Sequence, residues 1–170
     1  LERSLASLHA TFGRQVLPVQ LPIGVEKDFT GLVDLISEKA VLFDRDGSGK
    51  GKEGPIPGEL AAAVEEARTR LIEAIAESDE ALLEKFFEEG TLDADDLSAG
   101  LRAAIIARKI FPVTVGASAR LVGTSTLLDF LVDFAPSPVD RAYPARRIDG
   151  TEVALAADPA APLAAIVFKT

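Results

Sequence analysis

Apolar residues at helical and strand spacings divide the chain into successive elements. Leu5, Leu8 and Phe12 share one helical face and Gly13 follows, which predicts the tail of a helix over residues 1–12. Residues 16–23, VLPVQLPI, read as one strand that Pro18 and Pro22 confine to an edge or a short length. GLVDLI (31–36) and KAVLFD (39–44) are separated only by Ser37 and Glu38, a hairpin spacing. Next comes a glycine-rich exposed stretch, RDGSGKGKEGPIPG (45–58). Three helices follow. The first, over 58–77, carries Leu60, Val64, Ala67, Leu71 and Ile75 on one stripe. The second, over 80–89, is expected to be capped by Ser78, to turn Ala81, Leu82, Leu83, Phe86 and Phe87 inward, and to stop at Gly90. The third opens at Thr91 or Asp93 and runs to about Arg108 with Leu97, Leu101, Ala104 and Ile105 inward. Short consecutive helices are expected to pack antiparallel, each on the last.

The stretch that organises the rest is 110–140, IFPVTVGASARLVGTSTLLDFLVDFAPSPVD. Ile110, Phe111, Val113 and Val115 read as a buried strand ended by Gly116. A loop of small residues, Gly116, Ala117, Ser118 and Ala119, leads to an amphipathic helix over 123–134. Its apolar positions are Leu127, Leu128, Leu131, Val132 and Phe134, and Pro136 and Pro138 stop it. Strand, tight loop and helix form the repeating unit of nucleotide-binding α/β sheets, where ligands sit at the carboxyl ends of strands. Beyond it, 141–150 is polar and reads as a linker, while 153–155 and 163–170 are β-like.

Charge changes this picture at one place. The net charge is −9, which argues against nucleic acid as a direct partner. Between residues 57 and 100 there are 13 acidic and 3 basic residues, so that block alone carries −10 and the remainder +1. Such a face is either solvated surface or a docking face for a basic partner, and Glu65, Glu66 and Glu73 are its candidate contacts. A length of 170 residues and a hydrophobic content of 48% fit one moderate globular domain or two small ones. No apolar run approaches a membrane span, and no secretory signal opens the chain. The absence of cysteine excludes disulfides and is compatible with a cytoplasmic location. Methionine is also absent, position 1 included, which reads as a piece of something longer.

Metal and nucleophile chemistry finds little support. His9 is the only histidine and lies on a predicted helix, so it reads as a helix residue and not as a ligand. Ser118 and Ser125 have no histidine near them in sequence to activate them. Asp44 and Asp46 begin something like a calcium loop, but Pro55 stands where the terminal glutamate belongs. GSGKGK fails as a phosphate-binding loop: only three residues separate Gly47 from Gly51, and Glu53 follows Lys52 where a hydroxyl is needed.

GASARLVGTSTLLDFLVDFAPSPVD resembles the end of the GTPase domain of the elongation factor G family, where a Gly-Ser-Ala loop lies beside the guanine base. QLPIG with a following acidic residue, and FTGLVDL with KA, resemble that family's inserted subdomain. Ungapped, Ala117 and Ser118 fall where the family has Ser and Ala, and Arg120 where it usually has Lys. PLAAIVFKT resembles the first strand of the following β-barrel domain.

The resemblance implies an α/β fold: the C-terminal part of a P-loop GTPase-type sheet with an inserted α+β subdomain, plus the initial strand of a β-barrel. Residues 1–15 would be a GTPase-domain helix, 16–108 the insert, 109–140 the last strand and helix, and 141–170 the linker and barrel start. Gly116, Ala117, Ser118 and Ala119 would then form a guanine-base loop. The P-loop, switch regions and Asn-Lys-x-Asp motif would lie upstream. GTP or GDP and Mg would belong to the full-length parent, with no cofactor or metal expected for this chain alone. The expected partner is the ribosome, with the acidic face meeting a basic face of a ribosomal stalk protein. Ribosome protection and recycling share this layout. The reading from another class is a stand-alone acidic α/β interaction module, which a natural 17.9 kDa product would favour.

Overall fold

Residues 2–44, 47–140 and 142–165 are described by the computed structural model. In chain order they form α1 (Glu2–Phe12), β1 (Val16–Pro18), β2 (Gln20–Ile23), β3 (Gly31–Asp34), β4 (Lys39–Phe43) and β5 (Gly51–Gly54). There follow α2 (Ala61–Ala76), α3 (Glu80–Glu89), α4 (Ala94–Ile106), β6 (Phe111–Val113), α5 (Thr124–Phe134), β7 (Tyr143–Arg146) and β8 (Glu152–Leu155). Two compact units contain them, Leu1–Ala135 and Pro136–Thr170.

The single strand expected over 16–23 is two strands in two sheets. The Val19 amide donates to the Val113 carbonyl at 3.0 Å, while the Val19 carbonyl accepts from the Leu35 amide at 3.0 Å. The chain therefore changes partner at Val19. β1 runs parallel to β6, and β2 pairs antiparallel with β3 at the edge of a sheet ordered β2-β3-β4-β5. The expected β3–β4 hairpin is present, with the Asp34 carboxylate accepting from the Ile36 and Ser37 amides across its turn. Part of the glycine-rich stretch is strand and not loop. Gly51–Gly54 forms β5 against β4, and Lys39–Glu53 and Lys52–Asp44 ion pairs flank it.

Within the four-stranded sheet β3 is buried on both faces, and its side chains alternate between two cores. Val33 and Leu35 face a large core with Leu71 and Ile75 of α2, Leu97 and Leu101 of α4, and Phe130 and Phe134 of α5. Leu32 faces a smaller core of Phe29, Phe43 and Val122. The α2 stripe packs as its spacing requires, with Val64, Leu71 and Ile75 buried. Asp79, not Ser78, caps α3: its carboxylate accepts from the Ala81 and Leu82 amides. Phe87 is exposed because α3 meets its neighbours through Leu82, Leu83 and Phe86. Gly90, at φ 75°, ends the helix, and Asp93 caps α4. α3 and α4 both pack against α2, so α2 is the shared support of the helical layer.

Two apolar assignments are overturned. Phe111 on β6 is 43% exposed, because β6 has β1 as its only described neighbour and that face is left uncovered. On α5 the buried residues are Phe130 and Phe134, stacked with ring centroids 4.8 Å apart. Leu127, Leu128, Leu131 and Val132 are exposed, Val132 to 82%. In the second unit, Tyr143–Arg146, expected as linker, is strand β7 and pairs antiparallel with β8. The strand expected over 163–170 lies mostly outside the described residues.

Candidate functional site

The small-residue loop leaves β6 at Thr114 and reaches α5 at Thr124. Its shape is fixed by an isolated bridge: Ala117 and Val122 exchange amide–carbonyl hydrogen bonds of 2.8 and 3.3 Å. Between them a short 3-10 turn, Ser118–Arg120, closes with the Arg120 amide on the Ala117 carbonyl and the Leu121 amide on that of Ser118. Gly123 ends the loop at φ 78°, and a Cβ there would meet the Val115 carbonyl oxygen at 2.7 Å. Only glycine fits.

These bonds decide which groups remain for a ligand. The amides of Ala117, Arg120 and Leu121 are committed inside the loop. The amides of Gly116, Ser118 and Ala119 enter no hydrogen bond among the described residues. Gly116, Ser118 and Ala119 are at least partly exposed, whereas the Ala117 side chain packs on the smaller core with Val115 and Val41. Ala117 is therefore a seat for the loop and not a wall of the space in front of it. That space is a cavity of about 230 Å³ lined in part by Thr114, Gly116, Ser118, Gly123 and Leu127.

Three polar ties join this region to the four-stranded sheet and its loops. Buried Gln20 accepts from the Val115 amide through Oε1 at 3.2 Å. The Arg120 guanidinium donates to the Glu26 and Lys27 carbonyls at 2.9 and 3.2 Å. Ser125 Oγ donates to the Gly49 carbonyl at 3.1 Å. Sequence reasoning missed Gln20 and the tying role of Ser125. A glutamine amid VLPVQLPI is the one signal available, since an uncharged polar side chain inside an apolar run must find a partner when buried.

The other site residues are elsewhere. Glu65, Glu66 and Glu73 are all exposed on α2, and the helical repeat puts them within an arc of roughly 100°. Glu66 is paired with Arg70, one turn on. Glu65 and Glu73 have no ion pair among the described residues. The block's other cations are engaged as well: Arg68 holds Glu38 and the Leu35 and Ile36 carbonyls, and Lys85 lies between Asp93 and Asp96. Hydrogen bonds to those two carboxylates raise the Lys85 pKa. The Asp93 pKa is lowered first by the Asp96 amide and then by Lys85. His9 Nε2 is hydrogen-bonded to the Val16 carbonyl at 2.8 Å, fastening α1 to β1. The glycine-rich run continues into strand β5, where a phosphate-binding loop would open a helix. Among the described residues no three acidic or histidine side chains are grouped to hold a metal. No described helix is long and apolar enough to cross a membrane.

Parallel β1–β6 running through a small-residue loop into α5, with an antiparallel sheet and three helices inserted between the two strands, defines a mixed α/β protein with parallel and antiparallel sheets. No family profile matches the chain. Elongation factor G of Mycoplasma pneumoniae (strain ATCC 29342 / M129) is 38% identical over 172 residues, covering 99% of this chain and 25% of that protein. A crystal structure of a protein from Thermus thermophilus aligns with a TM-score of 0.73 and 30% identity, over 84% of this chain and 21% of that one. Over nearly its whole length the chain is thus similar to a segment of elongation factor G. It spans about a quarter of the length of that relative.

Proposed function

We propose that this chain is the base-proximal and inserted part of a translational GTPase that acts on the ribosome in the cytoplasm, in translocation or a related step. GTP hydrolysis needs phosphate-cradling amides, magnesium ligands and a positioned water. In this reading all of these come from other parts of the full-length protein. The chain's own share is the guanine base. Gly116 and Ser118, which line the cavity, and their neighbour Ala119 supply unspent amides, and a base oxygen accepts from such donors whatever the side chain. The exchanged order of alanine and serine relative to the family is then tolerable, since Ala117 serves the core and Ser118 the cavity. The observation that carries the reading is this loop, set between β6 and α5 in a chain 38% identical to elongation factor G.

The test is made on Ser118 in the full-length protein, because enlarging Ala117 would disturb the smaller core. Ser118→Ala is expected to weaken GDP binding by no more than about 1 kcal/mol, the worth of one hydrogen bond. Ser118→Phe fills the cavity and is expected to weaken it at least about tenfold, on the order of 1.4 kcal/mol. Titration calorimetry showing GDP affinity unchanged in Ser118→Phe would remove the loop from the base.

A further inference from the structure

Leu121 is a β-carbon-bearing residue in the left-handed region, at φ 56°, directly after the Ser118–Arg120 turn. That conformation is disfavoured for leucine and persists only where the surroundings impose it. The surroundings here are the inserted sheet's loops, and they hold the turn from two sides. On one side the Arg120 fork spans two consecutive carbonyls, Glu26 and Lys27, with Glu26 itself at φ 49°. On the other side Gly49, at φ 68°, lies so close that a Cβ on it would meet Leu121 Cβ at 3.1 Å, and its carbonyl takes the Ser125 hydroxyl. Two segments of the insert thus grip a turn whose own backbone preference is to relax.

The geometry points to Arg120 as a positioning residue, with Ser125 as its auxiliary: together they clamp the base loop onto the inserted sheet and set how long a bound guanine nucleotide stays. This rests on the base-loop reading above. The clamp touches no ligand. It holds in place the turn that carries the Ser118 and Ala119 amides, which enter no hydrogen bond among the described residues. A rigid, planar fork on two carbonyls fixes orientation in a way that a single ammonium does not. Loss of the clamp lets Leu121 leave the left-handed region and the donors disperse. Preorganised donors chiefly slow dissociation, so the effect falls on the off-rate while the encounter rate stays the same.

The experiment measures dissociation and association of a fluorescent GDP analogue from the full-length protein. Arg120→Ala is expected to raise the off-rate on the order of tenfold, as removal of a charge-assisted pair of bonds implies. Arg120→Lys, which reaches one carbonyl at a time, should fall between, and Ser125→Ala should give about a threefold rise. In the 170-residue chain, Arg120→Ala should speed hydrogen exchange at the Ala117 and Leu121 amides while exchange at Leu97 and Leu101 is unchanged. An unchanged off-rate in Arg120→Ala, in a protein whose GDP binding Ser118→Phe weakens as expected, overturns the clamp and leaves the base loop standing. If Ser118→Phe is also without effect, the base-loop reading fails and the clamp falls with it. Faster exchange at Leu97 and Leu101 in Arg120→Ala would make Arg120 a general stabiliser of the fold and overturn the positioning role.

Discussion

A few residues in this chain are determined by what their neighbours leave no room for. Gly123 is the sharpest case. Its φ of 78° and the Val115 oxygen 2.7 Å from where a Cβ would stand act together. Gly123→Ala is therefore expected to cost about 1–3 kcal/mol, the range for a strained backbone conformation, and to show as a lowered midpoint in urea denaturation. A cost within about 0.5 kcal/mol, the range of an ordinary surface substitution, would mean that the loop rearranges freely, contrary to the bridge at Ala117 and Val122. At this scale the sequence is partly legible. Small residues at 116–119 announce a close-fitting loop. Nothing in them tells that Ala117 faces a core while Ser118 faces a cavity, because that distinction is made by Phe29, Phe43 and Leu32, distant in sequence.

At the scale of elements, local pattern succeeds where the partner surface lies within the same block and fails where it does not. α2 packs against α3, α4 and the adjacent sheet, and its stripe is the one its spacing predicts. The stripe on α5 misleads because its widest apolar face is the exposed one, while burial selects Phe130 and Phe134, one turn apart. β5 is invisible for another reason: Gly-Lys-Glu-Gly has no apolar alternation, and only pairing with β4 makes it a strand. The start of α3 gives a direct test of the corrected cap. Asp79→Ala should destabilise the chain by about 1 kcal/mol, the usual cost of an N-cap, whereas Ser78→Ala should stay within about 0.5 kcal/mol. Equal losses in thermal denaturation would mean that both residues cap the helix.

Over the whole molecule the uneven charge is the feature with functional reach. We propose that the net −10 within residues 57–100 steers a basic partner, acting on the rate of encounter more than on affinity. We expect Glu65→Lys, Glu66→Lys and Glu73→Lys, combined in the full-length protein, to slow association with ribosomes on the order of tenfold at low salt. The difference should shrink as salt approaches about 0.5 M, where screening shortens the field to a few ångströms. Stopped-flow light scattering would read this directly. An unchanged on-rate with an intact fold would return these glutamates to solvated surface. Glu65 and Glu73 are expected to contribute most, since Glu66 is partly neutralised by Arg70.

The change of partner at Val19 also bears on the order in which the chain assembles. Val16 and Phe111 sit side by side in β1 and β6, though most of the chain's length separates them. Bringing such distant segments together from an open chain is slow, because the entropy of closing the loop is lost before the contact repays it. Everything between them consists of near-neighbour hairpins and consecutive helices, which form early. Once that block has folded, its two ends emerge next to each other and the remaining loop is effectively short. We expect the parallel pair to form last, after these local elements are in place. A block that enters and leaves its host sheet through two adjacent strands can be lengthened or trimmed in evolution, at places away from its contact with Phe130 and Phe134, without altering the order of strands in that sheet.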